Sequence, residues 1–239
     1  IEEGAKIGIN NIISENVIVR KNVNIGDNNF IGPNCLFENS LDIGDNNKFH
    51  GFISIGSLGE MGLKGDSIRK NGKIIIGSNN IFREFITVNF PVRKRTTSIQ
   101  NNCYLMARTH IPHDAKISNY VVMATNSLIG GGCILNDFVY VGLNSHIHQW
   151  LCIGEGAMLG MNSAIIKNIP PFLTVVGVPA KIIKVNEEGL IRRNFMIEEI
   201  KEFKNFLARK KVKRHNPNNI LVDRYNNFIS KYENTLVPK

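Results

Sequence analysis

From Ile99 to Ile165 an aliphatic residue stands at every sixth position without a break: Ile99, Leu105, Ile111, Ile117, Met123, Ile129, Leu135, Val141, Ile147, Ile153, Leu159 and Ile165. A helix repeats near 3.6 residues and an amphipathic strand near 2, so a sustained period of six requires short strands, each followed by a turn, wound into a stack. The same step opens the chain at Ile1, Ile7, Ile13, Val19, Ile25, Ile31, Phe37, Ile43, Phe49 and Ile55. Gly follows the aliphatic residue in Ile7-Gly8, Ile25-Gly26, Ile31-Gly32, Ile43-Gly44 and Ile55-Gly56, and Asn clusters fill the turns. Both residue types tolerate the left-handed backbone that a tight corner imposes. With three hexads per coil, the chain is expected to form a parallel β-helical prism whose coils lie about 4.8 Å apart. The spacing leaves the hand of the coil open, because parallel crossovers are normally right-handed and a period of six does not override that.

The pattern lapses over 57–75, resumes at Ile76, Phe82 and Val88, and lapses again over 89–98, where Arg93, Lys94 and Arg95 stand together. Excursions from a rigid solenoid are favoured places for binding residues. For the second excursion a binding loop and a solvated insertion are equally good readings. After Ile165 the chain leaves the solenoid through Pro170-Pro171 and Val176-Gly177-Val178-Pro179-Ala180. Asn186 is positioned to cap a helix at Glu187-Glu188-Gly189-Leu190, and Ile197, Ile200, Phe203 and Leu207 recur at helical spacing. A further helix is expected over Leu221 to Tyr232, with Tyr225, Phe228 and Ile229 on its apolar side. The expected division is a β-helix over 1–185 and a small helical domain over 186–239.

No apolar run is long enough to cross a bilayer and no signal peptide opens the chain, so a cytoplasmic protein without an integral membrane segment is expected. The chain starts without Met and already in hexad register, which suggests that native residues precede Ile1. Cys35, Cys103, Cys133 and Cys152 lack zinc-ligand spacing, so reduced thiols and no metal are expected. Much of the net charge of +9 is local: Lys201, Lys204, Arg209, Lys210, Lys211, Lys213 and Arg214 cluster with few acids. A solvated helix face explains most such runs. An acidic partner would be the functional explanation, with nucleic acid least favoured for want of interleaved aromatics or a groove-reading motif.

Four of the six histidines, His110, His113, His146 and His148, lie in the long repeat. A lone histidine is more often structural than catalytic. Here Ile111 and Ile147 are two coils apart, which puts both pairs on one prism face roughly 10 Å apart, and that stacking favours a site.

His110-Ile111-Pro112-His113-Asp114, together with Glu2-Glu3-Gly4-Ala5-Lys6-Ile7-Gly8, Ile81-Phe82-Arg83-Glu84-Phe85-Ile86-Thr87, His148-Gln149 and Glu188-Gly189-Leu190-Ile191-Arg192-Arg193-Asn194-Phe195, resembles the acyl-carrier-protein-dependent UDP-N-acetylglucosamine O-acyltransferases that begin lipid A biosynthesis. The hexads alone indicate only the broad hexapeptide-repeat superfamily; the His-x-x-His-Asp and Glu-Gly-Leu-x-Arg-Arg motifs are far narrower. The resemblance spans nearly the whole chain and implies a left-handed β-helix, a helical C-terminal domain and a homotrimer with sites between subunits. It implies that His113 is the general base on the acceptor hydroxyl, that Asp114 orients and supports it, and that the Gly131 N–H stabilises the oxyanion of the thioester under attack. Lys64, His110, His148 and Gln149 match substrate-binding positions, and Asn186, Glu188, Arg192 and Arg193 match nucleotide-holding ones. Met161 matches the floor of the acyl groove. A side chain there would favour a medium or short acyl group of about ten carbons, at about 0.8 kcal/mol per methylene excluded; ordinary core filling is the alternative.

The chain departs from the family at two sugar contacts, with Gly62 in place of Asp and Gly132 in place of His, and Asn89-Phe90-Pro91-Val92 replaces a His-Arg-Gly-Thr segment. The reaction implied is transfer of an acyl group, of the medium-chain 3-hydroxy kind, from an acyl carrier protein thioester to a UDP-sugar, with no bound cofactor. Val178-Pro179-Ala180-Lys181 resembles the exit segment of enzymes that acylate amino sugars from coenzyme A, so N-acylation and an acyl-CoA donor stay open. A trimeric scaffold without activity is the non-enzyme alternative, and joint retention of His113, Asp114, Gly131 and both arginines argues against it.

Overall fold

The structure, a computed structural model, describes residues 1–60, 71–208, 219–232 and 235–236. Short strands run from Lys6–Ile7 to Ala164–Ile165 and stack into three parallel sheets, the faces of a prism. Ile7 pairs with Ile25, Ile13 with Ile31 and Val19 with Phe37, so each coil returns to register on its own face. The register absorbs both excursions: Ile43 pairs with Ile76 and Ile76 with Ile99. An insertion costs the stack nothing as long as it leaves and rejoins at one corner.

The hexad residues point inward as the period requires, and from Val19 onward they form one continuous core. Ile1 is exposed, and Ile7 and Ile13 are partly covered. Phe37, Phe49 and Phe82 fill three successive coils of that core; the Phe49 and Phe82 rings stack at 4.7 Å and the Phe37 ring meets Phe49 edge-on at 5.3 Å.

Turn chemistry differs from the expectation for glycine. The left-handed position is the third residue after most of the inward residues, and it is mostly Asn, as at Asn10, Asn28 and Asn126 (φ 58°, 57° and 61°). Apart from Gly56 (φ 112°), the glycine directly after the aliphatic serves close stacking instead. A Cβ on Gly26 would fall 2.2 Å from Asp45 Oδ1 and 2.9 Å from the Gly44 carbonyl oxygen, so successive coils approach there only without side chains. Inside the lower coils a ladder of asparagines adds hydrogen bonds. Asn47 Oδ1 accepts from the Asn80 N–H at 2.9 Å, and Asn47 Nδ2 donates to the Gly77 carbonyl at 3.0 Å and to Asn29 Oδ1 at 3.1 Å.

The solenoid runs past Ile165, where the sequence period stops. Ile169 bridges to Ile153, and Leu173–Gly177 adds a parallel strand beside Met158–Leu159. The hexad between Ile165 and Ile169 is two residues short, which hides this coil from a fixed six-residue step. Ala180–Val185 then turns back antiparallel. Three helices follow, α1 (Glu187–Arg192), α2 (Ile197–Ala208) and α3 (Ile220–Tyr232). Leu190, Ile200, Phe203, Leu221 and Val222 bury a second core against Phe172 and Leu173 at the end of the prism. Asn186 caps α1, its Oδ1 accepting from the Gly189 N–H at 3.2 Å. Of the basic run, Lys204 pairs with Glu187 at 2.8 Å, and Arg209 to Arg214 lie outside the described residues. Among the described residues no helix is long and apolar enough to cross a membrane.

Asn47→Ala strips partners from the buried Asn80 N–H and the half-buried Gly77 carbonyl, which should cost about 1–3 kcal/mol. The measurement is the midpoint of urea unfolding. Asn46→Gly, which keeps the left-handed turn, should change stability by less than about 1 kcal/mol.

Candidate active site

His113 and Asp114 occupy the corner between the third and first faces, at the turn after the inward Ile111. Asp114 takes the left-handed position (φ 64°), which turns its carboxyl back under the coil, where it is buried. The carboxylate is surrounded by donors. Oδ1 accepts from the N–H groups of Val92 and Lys94 at 3.1 and 2.7 Å, and Oδ2 from those of Arg93 and His113 Nδ1 at 2.9 and 2.8 Å. Burial raises the pKa of this carboxyl, but the hydrogen bonds from His113 and the backbone N–H groups of Arg93 and Lys94 outweigh it and hold the group below the ordinary aspartate value. An ionised carboxylate only accepts, so His113 carries its proton on Nδ1 and leaves Nε2 as a lone-pair acceptor. The imidazole is largely enclosed, with 14% of its side-chain surface exposed.

The second excursion is therefore neither a simple binding loop nor a mere insertion: its backbone cradles the carboxylate that orients His113. The sequence signals only its cations, and backbone donors have no signature in side chains. The first excursion approaches the same corner. A Cβ on Gly59 would fall 2.8 Å from His113 Cβ, and Phe90 N–H donates to the Ser57 carbonyl at 2.8 Å. Lys64 and Gly62 lie outside the described residues.

One coil on from His113 stand three glycines, and none has room for a side chain. A Cβ on Gly130 would meet the Gln149 nitrogen at 2.5 Å, one on Gly131 the His113 Cε1 at 2.6 Å, and one on Gly132 the Trp150 Cε3 at 2.1 Å. Gly131 thus lies directly against the imidazole. Among the described residues no carbonyl or side chain accepts from its N–H.

His110 and His146 project from the third face in one column, each paired with Leu128. His110 Nδ1 lies 2.7 Å from Thr87 Oγ1. Burial pushes the His110 imidazole below its usual value, and Glu60 opposes that shift. His148 and Gln149 are exposed at the His113 corner, two coils further on. Among the described residues no group of three or more His, Cys, Asp or Glu is arranged to hold a metal.

The remaining residues lie on other edges of the prism. Asn186, Glu188, Arg192 and Arg193 line a cavity of about 490 Å³ with Tyr120, Phe138 and Met158, along the second face and the corner before it. The two arginines differ. Arg192 is 83% exposed and 4.0 Å from Glu188, whereas Arg193 is 14% exposed, ion-paired with Glu155, and lies over the Phe138 ring at 4.1 Å. Glu155 also binds Arg224 of α3 at 2.6 Å, so this pair ties the helices to the prism. Asn186 Nδ2 donates to the Gly156 carbonyl at 3.0 Å, which commits both ends of its amide. Met161 is 65% exposed at the corner between the second and third faces, so it does not fill the core.

No family model matches the chain. A curated relative, the acyl-[acyl-carrier-protein]–UDP-N-acetylglucosamine O-acyltransferase of Janthinobacterium sp. (strain Marseille), is 35% identical over 133 residues, covering 55% of this chain and 51% of the relative. The chain thus spans about half the length of the curated relatives it matches. Two solved structures are similar over almost the whole of this chain. The UDP-N-acetylglucosamine acyltransferase of Francisella novicida has a TM-score of 0.92 at 26% identity, covering 100% of this chain and 92% of that one. The one from Bacteroides fragilis has a TM-score of 0.91 at 27% identity, covering 99% and 97%. The chain is related to these enzymes, and its fold is their left-handed parallel β-helix with helices near the C-terminus.

The unequal settings of the two arginines give opposite expectations for stability. Arg193→Ala leaves Glu155 short of a partner and opens space among aromatic rings, and should cost about 2 kcal/mol or more. Arg192→Ala should change stability by less than about 0.5 kcal/mol. Thermal unfolding of the two variants side by side checks this.

Proposed function

We propose that this chain, a relative of the UDP-N-acetylglucosamine acyltransferases, moves an acyl group from an acyl carrier protein thioester to a hydroxyl of a UDP-sugar such as UDP-N-acetylglucosamine, the first step of lipid A biosynthesis. The observation that carries the reading is the His113–Asp114 pair with the Gly131 N–H directly beside it. His113 Nε2 takes the proton of the acceptor hydroxyl as its oxygen attacks the thioester carbonyl carbon. Asp114 stabilises the imidazolium that forms, and its own charge is fixed in place by backbone donors, so no reorganisation is needed during the reaction. The Gly131 N–H receives the oxyanion. Collapse of that intermediate breaks the carbon–sulfur bond, and the imidazolium returns its proton to the leaving thiolate.

His110 on the third face and His148 and Gln149 at the His113 corner bind substrate, and Lys64 is assigned to the same substrate by its place in the sequence alone. Glu188 and Arg192 take the nucleotide; Asn186, with its amide held by the Gly189 N–H and the Gly156 carbonyl, and Arg193, in its cage of aromatic rings, shape the cavity around it. A homotrimer accounts for the placement of these groups. His113, Met161 and the Arg192 cavity sit on three different edges of one narrow prism, so a complete site requires a neighbouring copy to supply the missing edges. Nucleotide sugar and carrier thioester place the reaction in the cytoplasm.

The test offers UDP-N-acetylglucosamine and amino-sugar nucleotides with acyl carrier protein or coenzyme A donors, and reads products by mass spectrometry. An O-acylated UDP-N-acetylglucosamine formed from the carrier thioester is the expected product. An amide product from an amino sugar would replace this reading with N-acylation. His113→Ala should lower kcat by about 100-fold or more while nucleotide-sugar affinity stays nearly unchanged.

Exposure of Met161 at a prism edge fits a side chain that closes an acyl groove. Donors of graded length should show a preference near ten carbons in the wild type, and Met161→Gly should shift it to longer chains, each accommodated methylene being worth about 0.8 kcal/mol.

A further inference from the structure

The triple glycine at 130–132 and the lone tryptophan of the chain meet at the His113 corner. Trp150 takes the left-handed position of its turn (φ 63°), two coils from Asp114, with Gly132 in the same position on the coil between. Its N–H donates to the Gly131 carbonyl at 2.9 Å, and the Gly132 N–H donates to the His113 carbonyl at 2.9 Å. The six-membered part of the indole rests on Gly132, where a Cβ would be only 2.1 and 2.2 Å from Cε3 and Cζ3. Any side chain at 132 would displace the ring, so the glycine there and the tryptophan at 150 form a matched pair.

The same indole carries two cations of the 92–94 segment. The Arg93 guanidinium carbon lies 5.5 Å from a ring centroid and the Lys94 ammonium 5.3 Å from one, while Lys94 Nζ also reaches the carbonyls of Asp114 and Gly132, each at 3.4 Å. These are the residues whose backbone N–H groups hold the Asp114 carboxylate. The contacts therefore run without a gap from Trp150 through Arg93 and Lys94 to Asp114 and His113, and on the other side from Trp150 to the Gly131 peptide. Cation–π pairs of this kind contribute about 0.5–2 kcal/mol each, enough to fix one arrangement of a short loop.

We propose that Trp150 is a positioning residue for acyl transfer: its indole is the wedge that sets the Asp114-holding loop, and with it the His113 imidazole, against the Gly131 N–H. The inference rests on the proposed function for its kinetic consequence and on the loop contacts for its structural one, and the two are read separately. Trp150 touches neither reacting atom, so its loss should loosen geometry without removing a catalytic group.

The experiment compares wild type, Trp150→Ala, Trp150→Phe, Asp114→Asn and the Trp150→Ala/Asp114→Asn double variant. Hydrogen exchange at the N–H groups of 92–94 should speed up about tenfold or more in Trp150→Ala, with exchange in the prism core unchanged. In turnover, Trp150→Ala should lower kcat about tenfold with KM for the nucleotide sugar within about twofold, and Trp150→Phe, which keeps a ring, should recover most of it. In the double variant the Trp150 change should add little to the loss from Asp114→Asn, because both act through one carboxylate. Unchanged exchange at 92–94 overturns the inference whether or not the wild type turns over. Wild-type inactivity with faster exchange in Trp150→Ala counts against the proposed function alone. A rise in KM with kcat intact, or fully additive losses, would make Trp150 a substrate contact or an independent residue and would overturn the positioning role. If Trp150→Ala does not fold, Trp150→Leu carries the same comparison.

Discussion

The His113 corner is placed by one constraint, the parallel backbone hydrogen bonding that returns each coil to register on its own face. Gly26 N–H donates to the Ile43 carbonyl and Gly130 N–H to the Ile147 carbonyl, each at 2.8 Å, and the same bond recurs on coil after coil. Residues one coil apart are thereby held at about the strand spacing of 4.8 Å. A side chain at a corner meets its counterparts above and below before it meets anything else. The rigidity of the stack is thus what makes a corner suitable for chemistry that tolerates little misplacement.

At the His113 corner this constraint selects residues by the space they leave. Three glycines occur together because the coil on one side presents the Gln149 backbone and the Trp150 ring, and the coil on the other presents the imidazole. The excursion that follows Phe90 leaves the stack at this corner, and its backbone supplies Asp114 with donors that a regular coil would not have spared. A buried carboxylate is costly unless fully satisfied. Here four N–H groups satisfy it, and the result is a charge that stays ionised and fixed beside the histidine.

The opposite edge shows the same logic with aromatic rings in place of glycines. Tyr120 and Phe138 take left-handed corner positions on consecutive coils and stack at 4.7 Å with their planes 4° apart. Arg193 closes over Phe138 and reaches Glu155, joining α1 to the prism, and Arg192 is left facing solvent at the mouth of the cavity. Two adjacent arginines that look equivalent in a motif thus divide between joining the helices to the prism and facing solvent.

The period of six determined the solenoid, its inward residues and the two excursions, because the narrow core of stacked coils takes an apolar side chain at that position of every strand. Helix spacing and the Asn186 cap likewise determined where the C-terminal helices begin. The motifs that carry the family resemblance marked the candidate residues. The shortened hexad before Ile169, the stacking role of Gly26 and its equivalents, and the burial of Arg193 were decided only in three dimensions. So was the cradle around Asp114, since its donors are main-chain N–H groups that every residue but proline possesses. A period in sequence reports what a coil needs from its own residues; which neighbour leaves room, and which backbone turns its donors inward, depends on contacts between segments far apart in the chain.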